Sequence, residues 1–265
     1  MQAAEIILKY QTFRLSEFSK MNDSSEYLYA KQRFIEAFMN RHVWIEEVPR
    51  YLVSGILEMH EPATIMLIGC LTEDKDDIGL WERYAANGEG CVIGFDAHWL
   101  AKRAGITLKR VSYNPTDIRD FVNAGLMMLQ KQYEKSRQDL QELINLATFF
   151  ILDLYAFKDP RFRSEMEIRI SRLAATDADA PFGLADVVGH RDDYVDLAPL
   201  PVGSFDSRYG PKRFIDVPVS DIQTGSAIRS VGLGPKAKSS DMEAIIKACE
   251  AYPNIDVWRS DAPLR

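Results

Sequence analysis

The chain has 265 residues, enough for one large domain or two small ones, and its 46% apolar content suits a globular protein with a substantial core. Its 32 Lys and Arg against 39 Asp and Glu leave a formal charge of -7 with no long basic run, which disfavours broad nonspecific nucleic-acid binding. Three cysteines without a CxxC pair, and four histidines without HExxH or His/Cys zinc spacing, argue against a structural metal.

MQAAEIILKYQ lacks the basic segment, long apolar core and small-residue cleavage site of a leader, and no apolar run reaches the roughly 18 residues of a membrane helix. A soluble, cytoplasmic protein is expected. Cys70 and Cys91 sit in the apolar runs IMLIGC and GCVIGF and are expected as small buried hydrophobes in a reducing compartment.

In chain order, residues 2 to 18 read as a short apolar run followed by a strand or extended edge in QTFRLSEF. SKMNDSSEY is turn chemistry, with Asp23 and Glu26 spaced to cap a helix over about 24–41; a second helix follows over about 44–59. ATIMLIGCLT has the length and continuity of a strand buried on both faces. The carboxylates of EDKDD then favour the start of the helix IGLWERYAA, with Thr72 and Glu73 as its cap. GCVIGFD and TLKRVSY read as strands, the latter stopped by Asn114-Pro115. Apolar residues near helical spacing over 116–157 predict a helical insertion. RSEMEIRISRL and RFIDVPVSDI read as strands separated by a polar, mobile loop over about 175–210. A capped helix and a final strand, NIDVWRS, close the chain. The elements do not alternate one-to-one, so the expected class is a single α+β domain over 1–265, its mixed, mainly antiparallel sheet flanked by helices.

Several residues are candidates for a site. Read as a strand, RSEMEIRI sends Glu165, Glu167 and Arg169 to one face and Met166, Ile168 and Ile170 to the other. Next-but-one spacing puts the acids about 6 to 7 Å apart, suited to gripping one ribose, with one carboxylate stabilising a cationic transition state while the other orients substrate or nucleophile. The competing reading is a solvated face. Trp81 and Tyr84, three apart on a helix, form either a stacking platform for a base or nicotinamide or part of the core. Asn22, Asp23 and Glu26 near Arg14 form either a capped turn or a ribose or cation contact. GLGPKAKSSD, with Lys236 and Lys238 before a helix, offers backbone N–H groups to a phosphate, although it lacks the GK[ST] ending of a P-loop. His42, His60, His98 and His190 have no nucleophile at a recognisable spacing and GxSxG is absent.

Several of these pieces resemble, in order, a widespread bacterial family that carries only a domain-of-unknown-function label. The resemblance rests on MNDSSE (Met21 to Glu26), CLTEDKDDIGLWERYA running into GEGCVIGFD, and RVSY. It continues through Lys158 ahead of Glu165-x-Glu167-x-Arg169, Gly234-Pro235 and the closing WRSDAPLR. Family members usually have Asn-Asp-Pro-Phe-Glu where this chain has Asn22-Asp23-Ser24-Ser25-Glu26, and Met-Trp where it has Leu80-Trp81. They also usually carry a first strand bearing an aromatic and a basic residue or histidine. With the chain starting just before Ile6, that strand is expected to be missing.

The order of elements is also distantly similar to ADP-ribosyltransferases, an analogy of layout only. It implies Glu167 as transition-state stabiliser, Glu165 as orienting acid, Tyr84 or Trp81 as nicotinamide platform and Thr72 as a ribose contact. Arg169, Asn22, Asp23, Glu26 and Lys236 would complete the binding site. NAD would be the substrate and a macromolecule the target, as in a bacterial toxin or phage-defence effector. The alternatives are a nonenzymatic sensor module that binds a nucleotide or partner protein, and a phosphodiester-processing enzyme whose acids hold Mg2+.

Overall fold

The computed structural model describes residues 2–20, 24–58, 63–102, 106–137, 139–187, 198–207, 210–221, 225–250, 252 and 254–264. A seven-stranded sheet lies at its centre. Its order is β4 (Thr107–Arg110), β5 (Glu167–Thr176), β2 (Thr64–Thr72), β1 (Thr12–Glu17), β8 (Gly210–Pro218) and β7 (Val202–Ser207), with β6 (Leu184–Asp186) paired to the far end of β5. All of its pairings are antiparallel. A smaller sheet joins β12 (Asp256–Arg259), β11 (Ile228–Leu233) and β3 (Cys91–Phe95), its β11/β12 pair parallel, and a short ribbon pairs β9 (Ser220–Asp221) with β10 (Gly225–Ser226). The class is therefore α+β with a mixed, mainly antiparallel set of strands, as the sequence predicts.

Side-chain alternation explains how β2 serves two cores. Leu67 and Ile68 are both buried, yet successive side chains on a strand point to opposite faces. Leu67 joins a core built with the small sheet and with α1 (Gln2–Tyr10), α5 (Ala97–Ala101) and α8 (Ser239–Cys249), through Leu8, Leu100, Val231 and Ile245. Ile68 packs with Phe18 and Tyr155 on the other side. Farther along that strand Cys70 keeps exposed surface while burial pushes its thiol up, so it is only in part the buried hydrophobe predicted, and Cys91 is half-buried.

The helices over 116–157 appear as α6 (Pro115–Lys135) and α7 (Leu140–Leu152), followed by a 3-10 turn, Asp153–Ala156. They share a core with α2 (Ser24–Met39) and α3 (Glu47–Glu58), through Phe34, Phe38, Val53, Leu126, Leu129 and Phe150. The insertion is thus half of a four-helix layer. Asn114, read as a strand stop, accepts the Thr116 N–H and caps α6 with Pro115 in its first turn, where a missing N–H costs nothing. Gly125 lets α6 approach α7: a Cβ there would lie 2.1 Å from the Phe150 ring. Gly125→Ala, ordinarily a gain in helix propensity, is expected to cost about 1–3 kcal/mol through overpacking. The urea midpoint would measure it, and an unchanged or raised midpoint would show that the ring can move aside.

Residues 2–10 form a helix, because Ala4 and Leu8 lie on one helical face against the core. Within the stretch over 175–210, read as a loop, Leu184–Asp186 and Val202–Ser207 form β6 and β7 of the sheet, while 188–197 and 208–209 lie outside the described residues. The strand read in QTFRLSEF is β1, which carries Phe13 and Arg14 and pairs with β2. Arg14 forms a bidentate pair with Asp216 at 2.8 Å, not with Glu26, and lies 3.6 Å from the centre of the Phe214 ring.

Candidate functional site

The carboxylates singled out from the sequence meet in a buried ion network at the β2/β5 end of the sheet. Lys158, 3% exposed, sits at its centre, fixed where Phe157 bridges Ser112 and the Lys158 N–H donates to the Ser112 carbonyl. Its Nζ contacts Glu165 Oε2 at 2.5 Å, Glu167 Oε2 at 2.8 Å and Glu26 Oε1 at 2.9 Å. Arg169, fully buried, donates to Glu167 Oε1 at 2.6 Å, Glu26 Oε2 at 2.6 Å and the Tyr155 carbonyl at 2.5 Å, and its guanidinium lies over the Phe18 ring. Arg83 and the Tyr84 hydroxyl both donate to Glu165 Oε1 at 3.0 Å. Three carboxylates face three cations, which is the condition for burying charge at tolerable cost. The solvated-face reading is therefore wrong.

Glu165 is not on the strand. It ends a 3-10 turn, Pro160–Glu165, and Met166 then adopts a left-handed conformation (φ 42, ψ 48) before β5 begins. That pivot aims Glu165 at Lys158 and leaves Met166 half-exposed, not on the apolar face. The bend is held from three sides: Thr72 Oγ1 donates to the Glu165 carbonyl, the Glu73 N–H to the Met166 carbonyl, and the Glu167 N–H to the Tyr113 hydroxyl. Thr72 also lies opposite Glu167 in the strand register. It does not cap the following helix, α4 (Ile78–Tyr84); Asp77 does, accepting the Leu80 N–H, and Glu73 pairs with Arg110.

Burial alone would push the Glu167 carboxyl up, but the Arg169 hydrogen bond and the Arg169 and Lys158 charges prevail and hold it at about 2. Lys158 stands above the usual lysine range: burial opposes its charge, but the Glu167 charge and the bonds to Glu165, Glu167 and Glu26 outweigh that. Enclosure of its hydroxyl end, then the Glu165 carboxylate, pushes Tyr84 up to about 12 although its ring is largely exposed.

Other candidates fall elsewhere. Trp81 is buried, with its Nε1 donating to Asp76 Oδ1 and its ring edge-on to Trp258, so only Tyr84 of the predicted platform presents an open ring. The Lys236 N–H donates to the Gly88 carbonyl, the Gly234 N–H to the Gly90 carbonyl and the Lys238 N–H to Asp241, so these donors of the predicted phosphate loop are taken up by the fold. Asn22 and Asp23 lie outside the described residues. Glu26 serves the network instead of a helix cap. Sequence reasoning does not single out Lys158, Arg83, Tyr113 or Arg163 as site residues; Lys158 alone carried a signal, its place ahead of the two acids.

A crevice of about 200 Å3 adjoins the network, with Glu167, Tyr113, Arg110 and Arg163 among its lining residues. No curated protein and no solved structure matches the chain. Residues 80–170, which run from the Trp81 helix through Lys158 to Arg169 and leave Glu26 and Thr72 outside, match the model of a family described as a protein of unknown function (DUF2971).

Proposed function

We propose that this protein binds an NAD-class nucleotide at the β2/β5 end of the sheet and cleaves its nicotinamide–ribose bond, as an ADP-ribosyltransferase or NAD glycohydrolase. The observation that supports this most is Glu167, a carboxylate held ionised at about 2, opposite Thr72 and in the wall of a crevice. Cleavage of the C1′–N bond leaves its electron pair on nicotinamide and a cationic ribose, which a fixed anion stabilises. Water or a nucleophile of the target then adds at C1′ and gives up a proton. Tyr84 offers an open ring for nicotinamide.

A second reading, a nonenzymatic nucleotide-binding module, is favoured by one observation: both Glu167 oxygens already accept from Lys158 and Arg169, which blunts the carboxylate's field toward a substrate. The Mg2+ reading gains no such support, because the Lys158 ammonium occupies the point where the three carboxylates converge.

The test is nicotinamide release from NAD alongside melting with and without NAD, for wild type and Tyr84→Ala. The transferase reading expects release, a raised melting temperature with NAD, and a loss of about tenfold in kcat/KM on removing the ring with little change in the fold. A melting shift without release supports the binding module. Neither shift nor release rejects NAD as the ligand.

A further inference from the structure

The crevice beside the network has more donors than acceptors. The charge of Glu167 is answered by Arg169 and Lys158, and that of Glu73 by Arg110 at 2.7 Å. Arg163 forms no ion pair among the described residues, so one positive charge is left unbalanced at a wall that Glu167 would otherwise make acidic. Tyr113 accepts the Glu167 N–H at 2.9 Å, and its own O–H has no acceptor among the described residues. Arg110 uses Nε and one terminal nitrogen on the same Glu73 oxygen, leaving further N–H groups. A planar guanidinium with its donors unused matches an oxyanion bidentately.

Size narrows the ligand. At about 200 Å3 the crevice is below the roughly 300–1,000 Å3 of pockets that enclose a whole small molecule, so it admits one end of a dinucleotide. We propose that it is the subsite for a phosphate of the nucleotide, a singly charged phosphodiester oxygen pair gripped by Arg163 and the Tyr113 hydroxyl with Arg110 alongside. The inference rests on nucleotide binding at this end of the sheet and does not require that the nucleotide be cleaved. It places the phosphate on the β4 side of Glu167 rather than at the Lys236 loop, whose Gly234, Lys236 and Lys238 N–H groups are taken up by the fold.

The experiment measures affinity by titration calorimetry for ADP-ribose, inorganic pyrophosphate and the phosphate-free nicotinamide riboside, with wild type and Arg163→Gln, at two salt concentrations. Arg163 is exposed, so the variant folds as wild type does. The expected result is a loss of about tenfold for ADP-ribose and pyrophosphate, a shallower salt dependence, and no change for nicotinamide riboside. Equal affinity of wild type and variant for ADP-ribose, an equal loss for the phosphate-free ligand, or no binding of either phosphate by wild type would overturn the subsite. Arg163-dependent ADP-ribose binding, together with no nicotinamide release when the protein is incubated with NAD, rejects the transferase reading and leaves the subsite standing.

Discussion

Lys158→Met lowers the stability of the fold by about 3–5 kcal/mol at neutral pH, the cost of removing one partner from a buried ion pair and leaving its counter-charges behind. Lys158 touches all three carboxylates of the network, and its loss leaves three carboxylates to two cations: Arg169 reaches Glu26 and Glu167, and Arg83 reaches only the far oxygen of Glu165. The pH dependence identifies the cause. In wild type the Glu167 carboxyl stands at about 2 against an ordinary 4.5, so its contribution, about 3 kcal/mol, is present above pH 4.5 and lost as pH falls toward 2. Without the Lys158 charge the Glu167 carboxyl titrates higher, and protonating it relieves the variant. The gap between wild type and Lys158→Met in urea unfolding is therefore widest near pH 7 and narrows below pH 4.5. A gap that is absent at pH 7, or that stays constant down to pH 3, would mean the carboxylates are paired by something other than Lys158. The same pairing means that Glu167→Gln costs stability as well as any activity, so a loss of turnover in that variant is read against its melting temperature.

Most strands could be read from the sequence because their patterns are local. ATIMLIGCLT is continuous and RSEMEIRISRL alternates, and both became strands of the central sheet. What could not be read was the environment of the alternating charges. Glu26 lies 143 residues before Arg169, and no spacing rule brings them together. Whether a polar face is wet or buried depends on that meeting, so Glu167 and Arg169 were assigned to a shared face while their burial stayed open. Glu165 departs from the strand pattern for a local reason: a single non-glycine residue in a left-handed conformation, Met166, holds the strand back until Glu167 and carries no signature in sequence. Thr72 and Glu73 look like a cap by residue type, but the run EDKDD offered four competing acids and the geometry chose Asp77. The polar composition over 175–210 suggested a loop, but β6 is a three-residue strand whose only strong signal is the partner it pairs with.

That short strand carries the second large expected effect. Asp186→Ala is expected to destabilise the protein by about 3–5 kcal/mol, comparable to the loss of Lys158, although it lies on the other face of the sheet. Asp186 and Arg172 are both fully buried, with the guanidinium donating through Nε and Nη2 to the two carboxylate oxygens at 2.6 Å. Asp186 Oδ2 also accepts the Leu200 N–H at 2.7 Å, so one carboxylate ties β5, β6 and the approach to β7 together. Truncation leaves a buried guanidinium without its bidentate partner and a backbone donor without an acceptor, and both penalties fall on the folded state. The pairing can be separated from packing by a double variant. If the loss comes from the broken Arg172–Asp186 pair, Arg172→Met with Asp186→Leu is more stable than Asp186→Ala alone, because matched apolar groups replace both halves of the pair together. If the double variant is the less stable by the sum of the single losses, the two residues act independently, and the buried pair is not what holds β6 to the sheet.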